Sequence, residues 1–224
     1  MTVALFIRDD GLFTPEYVDL LNEMLDWWSK PQYDHYGHWL EETVHMLQKS
    51  GITANTDYLD IEGKRVDAVY FHKPEEPYGF LSNWYLSDIE VDGQQFTSTE
   101  QYIMFRKCMI LGDTDAAQQV MATNDPAEQQ MIGQHAKGYN DAVWSGLCQV
   151  VAMRGLLAKF TQHDDLRQWL LSTGDAYLVE CARTDRRWAC GIGLKDDARH
   201  DIAKWKGKNI LGFALMEVRN QISQ

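Results

Sequence analysis

Apolar residues recur along much of this chain at intervals of three and four, the spacing that lines one face of an α-helix. Near the start, Thr14-Pro15-Glu16 supplies a hydroxyl cap, a proline at the first helical position and an acid in the first turn. Tyr17, Leu20, Leu21, Met24, Leu25 and Trp28 follow at helical spacing, and Pro31 stops the run. A second helix is expected over about Tyr36 to Lys49, with Trp39, Leu40, Val44 and Leu47 on one side and Gly51 as its terminator. The period then changes to two. Asp57–Ile61 and Val66–His72 alternate apolar and polar residues around Glu62-Gly63-Lys64, which predicts a hairpin.

From Lys73 to Gly79 the chain is rich in breakers and reads as a loop. Trp84–Val91 is expected as a strand closed by an Asp92-Gly93 turn. Ser98 then caps a helix, and Gln101 three residues later completes a capping-box pattern; the helix should end at Gly112. Two short helices are expected next, over about Asp115 to Ala122 and from Asp125-Pro126 onward. The longest should run from Asn140 or Asp141 to Phe160, burying Val143, Trp144, Leu147, Val151 and Leu157. A helix at Leu166–Leu171, a strand at Tyr177–Glu180 and an amphipathic helix over Asn209–Gln221 complete the reading. The pattern predicts a helix-rich α+β fold with a few short strands. Residues 1–66 are read as an N-terminal helical extension carrying part of the hairpin, and residues 67–224 as the main domain. No flexible linker separates the two, so they are expected to pack together.

The chain has 224 residues, of which 45% are hydrophobic, enough to bury a core of its own. Its first residues lack the basic, apolar and small-residue order of a secretory signal, and no run approaches the roughly 18 apolar residues that span a bilayer. A cytoplasmic location without membrane partners is the expectation. Cys108, Cys148, Cys181 and Cys190 form no C-x-x-C pair and are read as plain thiols. The histidines are scattered, and neither a metal site nor a cofactor motif is indicated. The formal net charge of −12 opposes extended contact with nucleic acid, although a few arginines and lysines can still make a local pocket for phosphate.

Three stretches can carry chemistry. In Thr97–Lys107, Glu100 and Lys107 lie seven residues apart, so on a helix they return to nearly one face, roughly 10 Å apart along the axis. Periodicity alone leaves them on a solvated face as readily as on an inward one, and Glu100 is favoured in a first turn by the helix dipole alone. In Arg183–Trp188, followed by Gly191 and Gly193, arginines can pair with phosphate and glycines let a backbone approach a ligand. The glycine pair lacks the full dinucleotide fingerprint, and a solvated surface turn fits the same residues. In Leu81-Ser82-Asn83-Trp84-Tyr85, small polar groups beside aromatics can hold a base by stacking and hydrogen bonds, or can simply pack a loop.

The order of these blocks is more telling than any one of them. Tyr78-Gly79-x-Leu81-Ser82-Asn83-Trp84-Tyr85 is followed by Asp92-Gly93, then Ser98-Thr99-Glu100-x-Tyr102 leading to Lys107. Trp144, Met153-Arg154, Lys159-Phe160 and Leu170-Leu171-x-Thr173-Gly174 come next. Val179-Glu180, Asp185-Arg186-x-Trp188, Gly191-x-Gly193 and Asn209-x-Leu211-Gly212-x-x-Leu215-Met216-x-x-Arg219 end the series. In this order the chain resembles the NADAR family of N-glycosidases over about residues 70–219. Two positions depart from that pattern: Gln101 stands where the family often has histidine, and Ala189 where glycine is common.

The resemblance implies hydrolysis of a ribosyl C1′–N bond in a phosphorylated ribosylamine, of the kind found early in riboflavin synthesis, or in an ADP-ribosyl compound. Removal of ADP-ribose from guanine in nucleic acid is the alternative within the family, and a non-catalytic module binding ADP-ribose or a nucleotide is the alternative outside it. The catalytic residues implied by position are Glu100 and Asp185, with Trp144 packing the base or ribose. Lys107 either holds a charge on the substrate or attacks C1′ of a ring-opened sugar. Substrate contacts are expected from Tyr78, Gly79, Ser82, Asn83, Trp84, Trp188, Gly191 and Gly193, with Arg154, Lys159 and Arg186 as candidates for phosphate.

Overall fold

The computed structural model describes residues 57–223. Both helices expected before residue 50, and their packing against the main domain, lie outside the described residues.

Two hairpins begin the described chain. Strand β1 (Asp57–Ile61) pairs antiparallel with β2 (Lys64–Phe71). The two residues between them, Glu62 and Gly63, both have positive φ, at 52° and 85°. Such a turn follows the right-handed twist of the strands it joins, which is why so short a loop closes them. The second hairpin joins β3 (Leu86–Val91) and β4 (Gln94–Ser98) through Asp92 and Gly93, with φ of 54° and 77°. Here the sequence reading stopped at the turn: β4 was not expected, although an Asp-Gly turn calls for a returning strand. β2 also pairs in parallel with β5 (Tyr177–Glu180), giving a three-stranded sheet in the order β1-β2-β5. The boundary drawn at residue 66 therefore falls inside β2, and the hairpin is one piece with the sheet.

Six α-helices follow among the described residues: α1 (Thr99–Ile110), α2 (Thr114–Ala122), α3 (Pro126–Gln134), α4 (Asp141–Gln162), α5 (Asp164–Ser172) and α6 (Ile210–Ile222). The fold is α+β and helix-rich. Asp113, Asp125 and Asn140 cap α2, α3 and α4 by accepting backbone N–H bonds at the helix start. The chain buries two apolar clusters. One joins β1, β2 and β5 to α6 and the second half of α4, centred on Phe71, Leu156, Phe160, Leu178 and Leu215. The other lies among β3, β4, α1, α2 and the first half of α4, around Ile89, Ile103, Cys108, Leu147 and Val151. Helix α4 serves both, and Trp188 packs against each. Helix α6 seats closely on β5, because a Cβ on Gly212 would lie 2.0 Å from the Leu178 carbonyl oxygen.

No helix among the described residues is long and apolar enough to cross a membrane. All four cysteines are buried and free.

Candidate active site

A cleft of about 810 Å³ opens between the two clusters. Its walls come from the residues after β2, from α1, from the first turns of α4, and from the end of β5 with the loop after it. Trp84, Trp144 and Trp188 give it flat apolar surfaces, while Lys73, Lys107, Arg186, Arg187 and Lys208 give it positive charge. A local basic pocket thus exists in a chain of strongly negative total charge.

Helix α1 carries the central pair. The Ser98 hydroxyl caps it by accepting the Gln101 N–H at 3.1 Å. Glu100 and Lys107 share a face, and that face is inward: they are 4% and 6% exposed. The solvated alternative left open by the periodicity is excluded. The Glu100 backbone N–H donates to the Asn83 carbonyl at 3.0 Å, joining α1 to the loop that carries Ser82 and Trp84. Burial, with the negative charge of Asp185 adding to it, pushes the Glu100 carboxyl up to about 8, against a smaller opposing pull from Lys107. Glu100 itself sits just behind the cleft wall, in electrostatic reach of two residues that line it.

The Lys107 amine reaches the cleft between two rings, 4.8 Å from the Tyr139 centroid and 5.6 Å from that of Trp144. Burial pulls its pKa below the usual lysine range. On the opposite wall, Asp185 Oδ1 accepts the backbone N–H groups of Arg187 and Trp188, each at 2.8 Å. That tight turn aims Asp185, Arg186 and Trp188 into the cleft. The turn is tied down in its own right, since Arg187 pairs with Asp141 at 2.6 Å and donates to the Ser145 hydroxyl at 2.9 Å.

Of the residues singled out in the sequence, Ser82, Trp84, Lys107, Trp144, Asp185, Arg186 and Trp188 line the cleft, and Glu100 and Asn83 stand directly behind it. The others are placed elsewhere. Lys159 is fully buried and donates to the Phe80 and Ser82 carbonyls at 2.7 and 3.0 Å, so its amine pins the Ser82 loop and does not reach a ligand. Arg154 pairs with Asp92 and borders a separate, smaller cavity. Tyr78 packs on the first apolar cluster, with φ of 60°. Gly79 is required by its own loop, because a Cβ there would lie 2.0 Å from the Pro74 carbonyl oxygen. Gly191 and Gly193 give room to Lys206-Gly207 and to the Arg183 side chain, not to the cleft. Gln101 lies off the cleft too. Its side-chain carbonyl accepts from Thr97, and its amide donates to the Val120 and Thr123 carbonyls, so the departure from histidine falls on a buried tie between α1 and the end of α2.

The sequence reading missed His72, Lys73, Tyr139, Asp141, Glu180 and Lys208, all of which line the cleft, as does Arg187 from the Arg183–Trp188 stretch. One signal was present: Glu180 ends the otherwise apolar strand Tyr177–Val179, an odd place for an acid. Among the described residues, no group of three or more His, Cys, Asp or Glu side chains is arranged to hold a metal ion.

The NADAR domain family matches residues 70–223. The chain belongs to the NADAR family. Protein irg-1 of Caenorhabditis elegans is 33% identical over 130 residues, which are 57% of this chain and 61% of that one, so this chain spans less than two thirds of that relative. N-glycosidase R617 of Acanthamoeba polyphaga mimivirus is 28% identical over 164 residues, covering 70% of this chain and 96% of its own. N-glycosidase YbiA of Escherichia coli is 30% identical over 155 residues, covering 69% and 88%. The NMR structure of E. coli YbiA superimposes with a TM-score of 0.59 at 27% identity, over 80% of this chain and 92% of that one. All of the cleft residues fall inside the NADAR match.

Proposed function

We propose that this NADAR protein hydrolyses the C1′–N bond of a phosphorylated ribosylamine or ADP-ribosyl compound and releases the base. Relatives named N-glycosidases support hydrolysis of an N-glycosyl bond, and the lysines and arginines of the cleft support a phosphorylated ribose. The observation that supports it most is the convergence of Glu100 and Asp185, two carboxyls from distant parts of the chain: Asp185 lines the cleft, Glu100 is buried behind its wall, and the Asp185 charge acts on Glu100.

When a C1′–N bond breaks, positive charge develops on the sugar and negative charge on the leaving nitrogen. Asp185, aimed inward by two backbone N–H bonds, offers its negative charge to the sugar. Glu100, raised to about 8, is a base strong enough to take a proton from water near neutral pH, once a fraction of it is ionised. Trp144 and its neighbouring indoles give the base or ribose a flat wall, and Arg186 and Lys208 at the rim suit phosphate. The cleft's volume is near the upper end for small-molecule sites, which favours an ADP-ribosyl compound over a single ribose phosphate.

A second route for Lys107 has its own support. Its amine has no ion pair among the described residues, and its lowered pKa favours the neutral nucleophile. Borohydride during turnover would trap a sugar adduct on Lys107 if it attacks C1′ of an opened ring, and no adduct leaves the lysine a purely electrostatic role.

The reading is tested by incubation with a ribosylaminopyrimidine phosphate and with ADP-ribosylated guanine, with released base as the readout. Release from either supports it. Tight binding of both with no release would make the protein a binding module.

A further inference from the structure

Two cleft carboxyls have no part in the proposed reaction: Asp141, which is taken up by Arg187 and Tyr139, and Glu180. Glu180 is the last residue of β5, and its main chain is held on both sides. Its N–H donates to Asn209 Oδ1 at 2.9 Å, and its carbonyl accepts the Cys190 N–H at 2.9 Å. Asn209 is fixed in turn, because its side-chain amide donates to the Leu178 carbonyl at 2.9 Å and Gly212 leaves it room. The side chain that this frame presents lines the cleft, yet its Oε2 is buried with no hydrogen-bond partner. A buried carboxyl oxygen without a partner is costly and uncommon. The cleft that this side chain lines is where a ligand would supply one.

The charges around Glu180 decide which form it takes. Asp185 on the following loop, Glu100 on α1 and Cys190 face it, and all three oppose its ionisation. The cleft's cations are Lys73 after β2, Lys107 on α1, Arg186 and Arg187 on the loop after β5, and Lys208, with His72 the remaining titratable group beside β2; none of them pairs with it. Burial comes first among the causes and acts in the same direction, holding the carboxyl well above the usual range. A carboxylic acid kept neutral in a cleft is a proton donor.

We propose that Glu180 is the catalytic acid that protonates the leaving base; this rests on the glycosidase reading above. As the C1′–N bond breaks, its electron pair passes to the base nitrogen, which takes the Glu180 proton and leaves a carboxylate. The water oxygen bonds to C1′ and gives a proton to Glu100. Return of that proton to Glu180 through solvent restores the site, and the sum is hydrolysis of one C–N bond by one water.

An acid of this kind is dispensable when the leaving group needs no proton. Glu180→Gln is compared with the unaltered protein on a ribosylaminopyrimidine phosphate and on 4-nitrophenyl riboside 5-phosphate, whose phenolate departs as an anion. The expected result is a loss of about 100-fold or more on the ribosylamine and less than about five-fold on the nitrophenyl compound. Glu100→Gln, by contrast, should lose on both. Equal losses of Glu180→Gln on the two substrates, or no loss on either, would overturn the assignment while leaving the glycosidase reading standing. Failure of the unaltered protein on both substrates would overturn the reading itself and Glu180's part with it. Glu180→Asp keeps the proton but withdraws it by one methylene. It should show the same split in smaller measure, so the comparison survives if the amide disturbs the fold.

Discussion

Replacing Glu100 with glutamine should make the protein more stable in mild alkali while removing its activity. The reasoning starts from burial. Glutamine matches a protonated glutamate in shape and in its carbonyl, so at pH 5, where Glu100 is protonated, the two proteins should unfold at nearly the same denaturant concentration. In the folded protein the carboxyl is raised from 4.5 to about 8. Between those values the folded state binds a proton that the unfolded chain has already released. Stability from this group is therefore whole below pH 4.5 and is lost as pH rises through 8. At about 1.36 kcal/mol for each factor of ten, the full loss is about 5 kcal/mol, and Glu100→Gln escapes it. Urea unfolding at pH 5 and pH 9 measures the difference directly. The variant should gain several kcal/mol on the unaltered protein at pH 9 and almost nothing at pH 5, while kcat falls by about 100-fold or more. A variant no more stable than the parent at pH 9 would refute the claim that Glu100 is held against ionisation.

Other expectations follow from the same geometry. Asp185→Asn should lower kcat by at least about 100-fold with little change in melting temperature, read by single-turnover kinetics. Lys159→Met leaves the Phe80 and Ser82 carbonyls without their donor, so it should cost about 2 kcal/mol in denaturant unfolding and loosen substrate binding. An unchanged midpoint would mean the lysine does not pin that loop. Arg186→Ala should raise KM more than it lowers kcat, by about ten-fold if it meets a phosphate.

The elements were legible where local rules decide them. The cap residues Ser98, Asp125 and Asn140 marked helix starts within a residue or so, and Glu62-Gly63 and Asp92-Gly93 marked turns. Strand β4 was missed because Gln94–Ser98 is short and mostly polar, and its pairing with β3 supplies what its own pattern lacks. The site was harder. Glu100 and Lys107 sit on a helix with apolar residues all round, so periodicity gave no sign of which face was inward. Only contact with β3, β4, α2, α3 and α4 decides that. Lys159 had the chemistry of a phosphate ligand and turned out to be a buried strut, because hydrogen bonding to distant carbonyls leaves no trace in spacing. The resemblance to NADAR proteins supplied what spacing lacked, since order along the chain carries information about convergence in space.

The parallel pairing of β2 with β5 joins Phe71 to Glu180, partners more than a hundred residues apart. Loops that long close slowly, because their entropy must be lost before any contact rewards it. Five helices are synthesised between the two strands, and the cleft walls after each strand, His72 with Lys73 and Glu180 with Asp185, meet only when the strands do. During translation, then, a chain can carry a well-formed helical half and still be inert. The two walls of the cleft are brought together by the pairing of the last strand with the first hairpin.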